Sequence, residues 1–125
     1  MKKLFLALMS LLALFALSCG GSDSGGGSKS ANFNIMSVDK TMTSYSRPSL
    51  KVTVKNTGNA TGYNVGCKSH ARNAAGTIID TASTFFASLG NIGVNESAQD
   101  EGVFFNLRSH NDYANLTHEC SWLTR

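Results

Sequence analysis

The sequence predicts an all-β fold, a small antiparallel sandwich, and three observations predict it. From Ala31 to Arg125 no window repeats its apolar residues with the 3.6-residue period of a helix. Apolar and polar residues alternate with period two over several short runs instead. Clusters of Asn, Gly and Ser punctuate those runs, giving roughly six or seven strands in the globular part.

The elements follow in chain order. A first strand lies near "FNIMSV", Phe33 to Val38. The clearest alternation is "LKVTVKNTG", with Leu50, Val52 and Val54 on one face and Lys51, Thr53 and Lys55 on the other. Asn56-Thr57-Gly58 closes it as a turn. In "GYNVGCKSHARNAAG" the pattern places Tyr63, Val65 and Cys67 inward and Asn64, Lys68 and His70 outward, with Asn73 to Gly76 as the next turn. "TIIDTASTFFASLG" reads as one longer strand or two short ones. "GVFFNL" puts Val103, Phe105 and Leu107 on one face, and "NLTHECSWL" ends the fold with Cys120 and Trp122 facing together.

The first 30 residues do not read as domain sequence. Lys2 and Lys3 lead an apolar run from Leu4 to Leu17, which is short for a bilayer span of about 20 residues and suits a cleaved export signal. A signal peptide over 1–18 is therefore expected. Gly20 to Ser30, "GGSDSGGGSKS", contains no hydrophobic residue to fold on and reads as a flexible tether. Its root-mean-square reach is on the order of 20 Å.

"Ala16-Leu17-Ser18-Cys19" resembles the lipobox of bacterial lipoproteins, although leucine at the third position before the cysteine and a smaller residue at Leu17 are more usual. The resemblance implies a diacylglyceryl group on the Cys19 thiol and acylation of the new N-terminus. Each buried methylene contributes about 0.8 kcal/mol, so two or three chains hold a protein at a membrane without a spanning helix. Gly20 stands where aspartate would resemble an inner-membrane retention signal, so the resemblance favours a bacterial envelope location at the outer membrane.

Charge excludes little except nucleic acid. The chain has 11 basic and 8 acidic residues, a net +3. Removing Lys2 and Lys3 with the signal leaves nine basic against the same eight acidic residues, about +1, with no basic stripe. Of the three cysteines, lipidation uses Cys19 and leaves Cys67 and Cys120 as an even pair in an oxidising compartment. A Cys67–Cys120 disulfide is the preferred reading, two buried free thiols the other. The bridge would close a loop of about 50 positions, worth roughly 4 kcal/mol.

"VTVKNTGNATGYNV" looks like the second and third strands of the bacterial immunoglobulin-like modules called CARDB-like or FxLYD-type. "NAAGTIID" resembles their Asp-x-x-Gly hairpin and "LGNIGVNESA" their following loop, with Val94-Asn95 where Pro-Gly is usual. The resemblance spans most of Leu50 to Leu107 and implies an immunoglobulin-like sandwich over 31–125. Its motifs mark turns, not chemistry.

No catalytic pattern is read: Gly-x-Ser-x-Gly does not occur, the serines of "SYSRPS" read as loop, and no two carboxylates are spaced to face one cleft. His70, His110 and His118 lack metal-ligand spacing, so neither metal nor cofactor is expected. Phe85-Phe86 and Phe104-Phe105 are adjacent pairs, and in a strand one member of each faces outward. The outward members are expected to be covered by loops; otherwise they form a patch for a partner. The functional expectation is a lipid-anchored envelope protein, not an enzyme, whose sandwich binds an envelope protein or glycan. The alternatives are a structural accessory subunit of an envelope complex and a small periplasmic metal carrier.

Overall fold

A computed structural model describes residues 28–86 and 91–125. The predicted signal, Cys19 and most of the tether lie outside the described residues. Six strands form: β1 (Phe33–Met42), β2 (Pro48–Asn56), β3 (Gly62–Arg72), β4 (Ile78–Phe85), β5 (Ser97–Val103) and β6 (Asn115–Thr124). Among the described residues there is no α-helix; a short 3₁₀ turn lies at His110–Asp112.

The strands make two antiparallel three-stranded sheets, ordered β1-β2-β5 and β4-β3-β6. The chain is a small all-β sandwich. Leu50, Val52 and Val54 are fully buried on the inner face of the first sheet, as their alternation predicts. Val65, Cys67, Ala71 and Ala82 meet them from the second, and Phe33, Phe86 and Phe104 complete the core. At one margin β5 nearly touches β4: a Cβ on Gly102 would meet the Ser83 carbonyl oxygen at 3.0 Å, and Phe85 N donates to Asp100 Oδ2 at 2.8 Å. At the other, Phe33 packs on Trp122 with ring centroids 5.3 Å apart, and Trp122 Nε1 donates to the Ala31 carbonyl.

Three register expectations are corrected. The strand expected at "GVFFNL" lies upstream, over "SAQDEGV", and its inward phase is Ala98, Asp100, Gly102 and then Phe104, which is fully buried. Two of those inward residues are Asp and Gly, so hydropathy gave no alternation to follow. Phe104 N donates to the Pro48 carbonyl at 2.9 Å, extending the contact with β2 by one bond. In β3, Gly62 is buried and Tyr63 only half-buried. Asn64 adopts φ 50° where the β3–β6 register shifts, a bulge that reverses the inside–outside phase behind it. β1 runs past Val38 to Met42, and Pro48 and Ser49 belong to β2 rather than a loop. Proline is tolerated there because it is the strand's first residue.

The described connections gather at two ends. The β1–β2 turn, the β3–β4 turn and the segment between β5 and β6 share one end, tied by Ala114 N to the Arg72 carbonyl (2.8 Å) and His110 Nε2 to the Thr41 carbonyl (2.8 Å). The opposite end holds the entering segment at Ser30 and the turn after β2. There Thr57 N donates to the Asn32 carbonyl (2.7 Å), Asn59 N to the Ser30 carbonyl (3.0 Å) and Ala31 N to Thr124 Oγ1 (3.0 Å). Ten residues of β1 at about 3.3 Å each separate the two ends by roughly 30 Å.

Candidate functional site

Cys67 and Cys120 form a disulfide. They are directly opposed in the β3–β6 register, with Cα atoms 4.0 Å apart, and the bridge spans 53 positions. Cys67 is buried, so the pair belongs to the core and offers no reactive thiol.

The histidines occupy separate settings. His70 sits between Thr81 Oγ1 (2.9 Å) and Glu119 Oε1 (3.2 Å) on the outer face of β4-β3-β6. His118 Nδ1 bonds Ser69 Oγ at 2.8 Å, and burial holds its pKa below the usual histidine value. His110 Nε2 donates to Thr41 O, which leaves Nδ1 to accept from the Tyr113 hydroxyl at 2.8 Å when the ring is neutral. Burial raises the Tyr113 phenol above its ordinary value, keeping it a donor. Among the described residues no three His, Cys, Asp or Glu side chains converge to hold a metal ion.

The paired phenylalanines split, against the expectation of loop cover. Phe86 and Phe104 are fully buried, whereas Phe85 is 60% and Phe105 68% exposed. Phe85 has a packing role: its ring lies across Gly66, where an added Cβ would meet Cδ2 at 3.3 Å. An aromatic ring over a cross-strand glycine covers backbone that the missing side chain leaves bare. A shallow groove of about 440 Å³ adjoins it, lined by Gly66, Lys68, Ser83, Glu119 and Ser121. Lys68 and Glu119 stand opposite each other there, so the groove presents no dominant charge.

Phe105 has no such partner strand. It projects from the segment after β5 into a groove of about 460 Å³ at the turn end, shared with Tyr45, Ser46, Arg47, Asn106 and Arg108. Tyr45, at the tip of the β1–β2 turn, is 87% exposed. Burying one such ring stabilises a fold by about 1.5–3 kcal/mol, so two left bare at one end forgo a substantial gain. Sequence reading marked the Phe104-Phe105 doublet without deciding which ring faces outward, and passed over Tyr45 and Arg47 as loop, because a single ring in a turn has no periodicity to mark it.

The loops that carry these rings are fixed. Thr43 N donates to the Arg47 carbonyl (2.8 Å), Ser46 N to the Thr43 carbonyl (3.0 Å), and Arg47 N to Thr43 Oγ1 (3.1 Å). Ser46 takes the left-handed position of this three-residue hairpin loop, φ 57°. The second loop is pinned by two carboxylates: Asp80 accepts from Asn106 N (2.8 Å) and Leu107 N (3.3 Å), and Asp112 from Arg108 N (2.9 Å) and Ser109 N (3.0 Å). Ser109 and Asp112 form a reciprocal capping box around the 3₁₀ turn. Arg47 joins the two loops, with Nη1 donating to the Phe105 carbonyl and its guanidinium carbon 5.7 Å from the Phe105 ring centre.

Compared with known proteins, the chain matches no family model, no curated protein and no solved structure. The geometry therefore defines the class by itself: a disulfide-bridged β-sandwich with a rigid aromatic and arginine-bearing end.

Proposed function

We propose that the chain is an exported bacterial lipoprotein, held at the envelope by acyl chains on Cys19, whose sandwich is a non-catalytic binding module for an envelope protein or glycan. The relation to immunoglobulin-like CARDB or FxLYD modules read from its turn motifs, and the outer-membrane address, belong to the same reading. One observation carries it: the segment leading from the tether joins the sandwich at one end, through Ser30 and Ala31, and the bare rings Tyr45 and Phe105 stand at the other. Tethered at Cys19, the molecule displays those rings away from the membrane, the height of the sandwich added to a tether reach of about 20 Å. A binding surface at the end remote from the anchor is accessible, and one at the near end faces headgroups.

Two measurements test the reading. Labelled palmitate is expected to enter the wild-type chain in a bacterial host and not Cys19→Ser; equal labelling overturns the anchor. A photo-crosslinking residue at Tyr45 or Phe105 is expected to capture envelope material in intact cells, and the same residue at Asn91, on the tether-side end, is not. Equal capture from both ends overturns the assignment of the surface.

A further inference from the structure

The groove at the turn end has a definite chemistry. Its size lies within the ~300–1,000 Å³ range of small-molecule sites. Two arginines flank it, and among the described residues neither forms an ion pair with a carboxylate, the one such pair being His70–Glu119. The nearby carboxylates, Asp80 of β4 and Asp112 of the second loop, are turned onto backbone N–H groups at residues 106 to 109. The charged side chains that line the groove itself are both arginines, although the chain without its signal carries only about +1. Arg47 uses one nitrogen on the Phe105 carbonyl and keeps the remaining N–H groups of its fork, while Arg108 is exposed. A planar fork suits the paired oxygens of a carboxylate or phosphate.

The apolar part of the groove is discontinuous. Tyr45 and Phe105 are separate rings set among Ser46, Asn106 and backbone, without the continuous apolar centre that anchors a protein interface. Isolated ring faces suit the C–H faces of sugars, and the flanking hydroxyl and amide groups suit sugar hydroxyls. The loops are held before any ligand arrives, so little ordering cost is added on binding.

We infer that this groove binds an acidic polysaccharide, with sugar rings on Tyr45 and Phe105 and the anionic substituents on Arg47 and Arg108. The inference rests on the binding-module reading above and names its ligand class. It is tested with the full-length chain in detergent, by biolayer interferometry on immobilised polygalacturonate, phosphomannan, dextran and polyglutamate.

Binding to polygalacturonate or phosphomannan is expected, weakening as salt rises, with at least a tenfold loss in Arg108→Gln and in Tyr45→Ala at unchanged melting temperature. Dextran and polyglutamate are expected not to bind. Equal binding of dextran overturns the role of charge, equal binding of polyglutamate overturns the role of the sugar, and no binding of either acidic polysaccharide overturns the inference. If crosslinks from Tyr45 then capture a protein, the binding-module reading stands and this ligand class falls; if nothing is captured, both fall.

Discussion

Gly58 lies against the backbone of the entering segment so closely that a Cβ on it would overlap the Ser30 carbonyl oxygen and sit 2.5 Å from Asn32 N. Both obstacles are backbone atoms held by hydrogen bonds, the Ser30 carbonyl accepting from Asn59 N and Asn32 N donating to Asn56 Oδ1, so neither can rotate aside. Gly58→Ala is therefore expected to lower stability by about 3 kcal/mol, the upper range for overpacking. Urea unfolding measures it. A loss below about 0.5 kcal/mol would mean that the entering segment is not clasped by this turn.

Beside Gly58, the fully buried Asn56 side chain knits three segments together. Its Nδ2 donates to the Ala60 (2.8 Å) and Ile92 (3.0 Å) carbonyls, and Oδ1 accepts from Gly58 N (3.0 Å) and Asn32 N (3.3 Å). Asn56→Asp keeps the shape but removes both donors and faces two carbonyls with a carboxylate. It is expected to cost about 3 kcal/mol or more at neutral pH, since buried partners left unpaired cost about 1–3 kcal/mol each. A midpoint equal to wild type would sink this account of the knot.

The "NTGNATG" stretch was legible as a turn because Asn and Gly carry local signals, but the reason for each residue was not. Asn56 and Gly58 answer to Asn32 and Ser30, more than 20 positions earlier, and such contacts leave no trace in a sequence window. Strand β2 was readable from its alternation, and the cysteine pairing from the even count. Strand β5 was not, because its inward Asp100 and Gly102 serve close approach to β4 rather than apolar burial. The same blindness hid the site. Tyr45 and Arg47 gain meaning only when the β1–β2 turn is brought beside Phe105 and Arg108.

The Cys67–Cys120 bridge ties the centre of the second sheet to its margin strand across 53 positions. On the chain-entropy account its loss costs about 4 kcal/mol, a large part of the 5–15 kcal/mol typical of a domain. The double variant Cys67→Ala, Cys120→Ala is expected to unfold at correspondingly lower urea. Reductant should shift the wild-type midpoint in the same direction and leave the double variant where it is. A wild-type midpoint indifferent to complete reduction would remove the bridge from the stability of the fold.

Acid should destabilise the protein in two stages. Burial, then the nearby His70, lowers the His118 pKa, so the folded state favours the neutral ring; that contribution is complete above 6.5 and is lost as pH falls through the lower folded value. The Glu101 carboxyl is lowered by hydrogen bonds from Ser49 and then Thr41, so its contribution is complete above 4.5 and disappears as pH falls through its own folded value. His118→Gln is expected to flatten the upper stage of a melting temperature–pH curve. Ser49→Ala is expected to lie below wild type at pH 6 and approach it near pH 3. Parallel curves at all pH values would refute both assignments.

Two turns of one kind offer a last comparison, because the left-handed position is filled by Gly76 (φ 85°) between β3 and β4 and by Ser46 (φ 57°) beneath Tyr45. A Cβ on Gly76 would meet nothing within 4 Å, so Gly76→Ala isolates the conformational cost, expected at about 1–2 kcal/mol. Ser46→Gly relieves that strain while adding freedom to the unfolded chain, so its stability should stay within about 0.5 kcal/mol of wild type. The freedom reaches the folded loop as well, and Tyr45 depends on that loop for its position. Ser46→Gly is therefore expected to weaken acidic-polysaccharide binding severalfold at unchanged melting temperature, whereas Gly76→Ala, in a turn that does not line the groove, should lower the melting temperature and leave binding intact. The opposite pattern, binding lost through Gly76 and kept through Ser46, would show that the Tyr45 loop is not what the ligand reads.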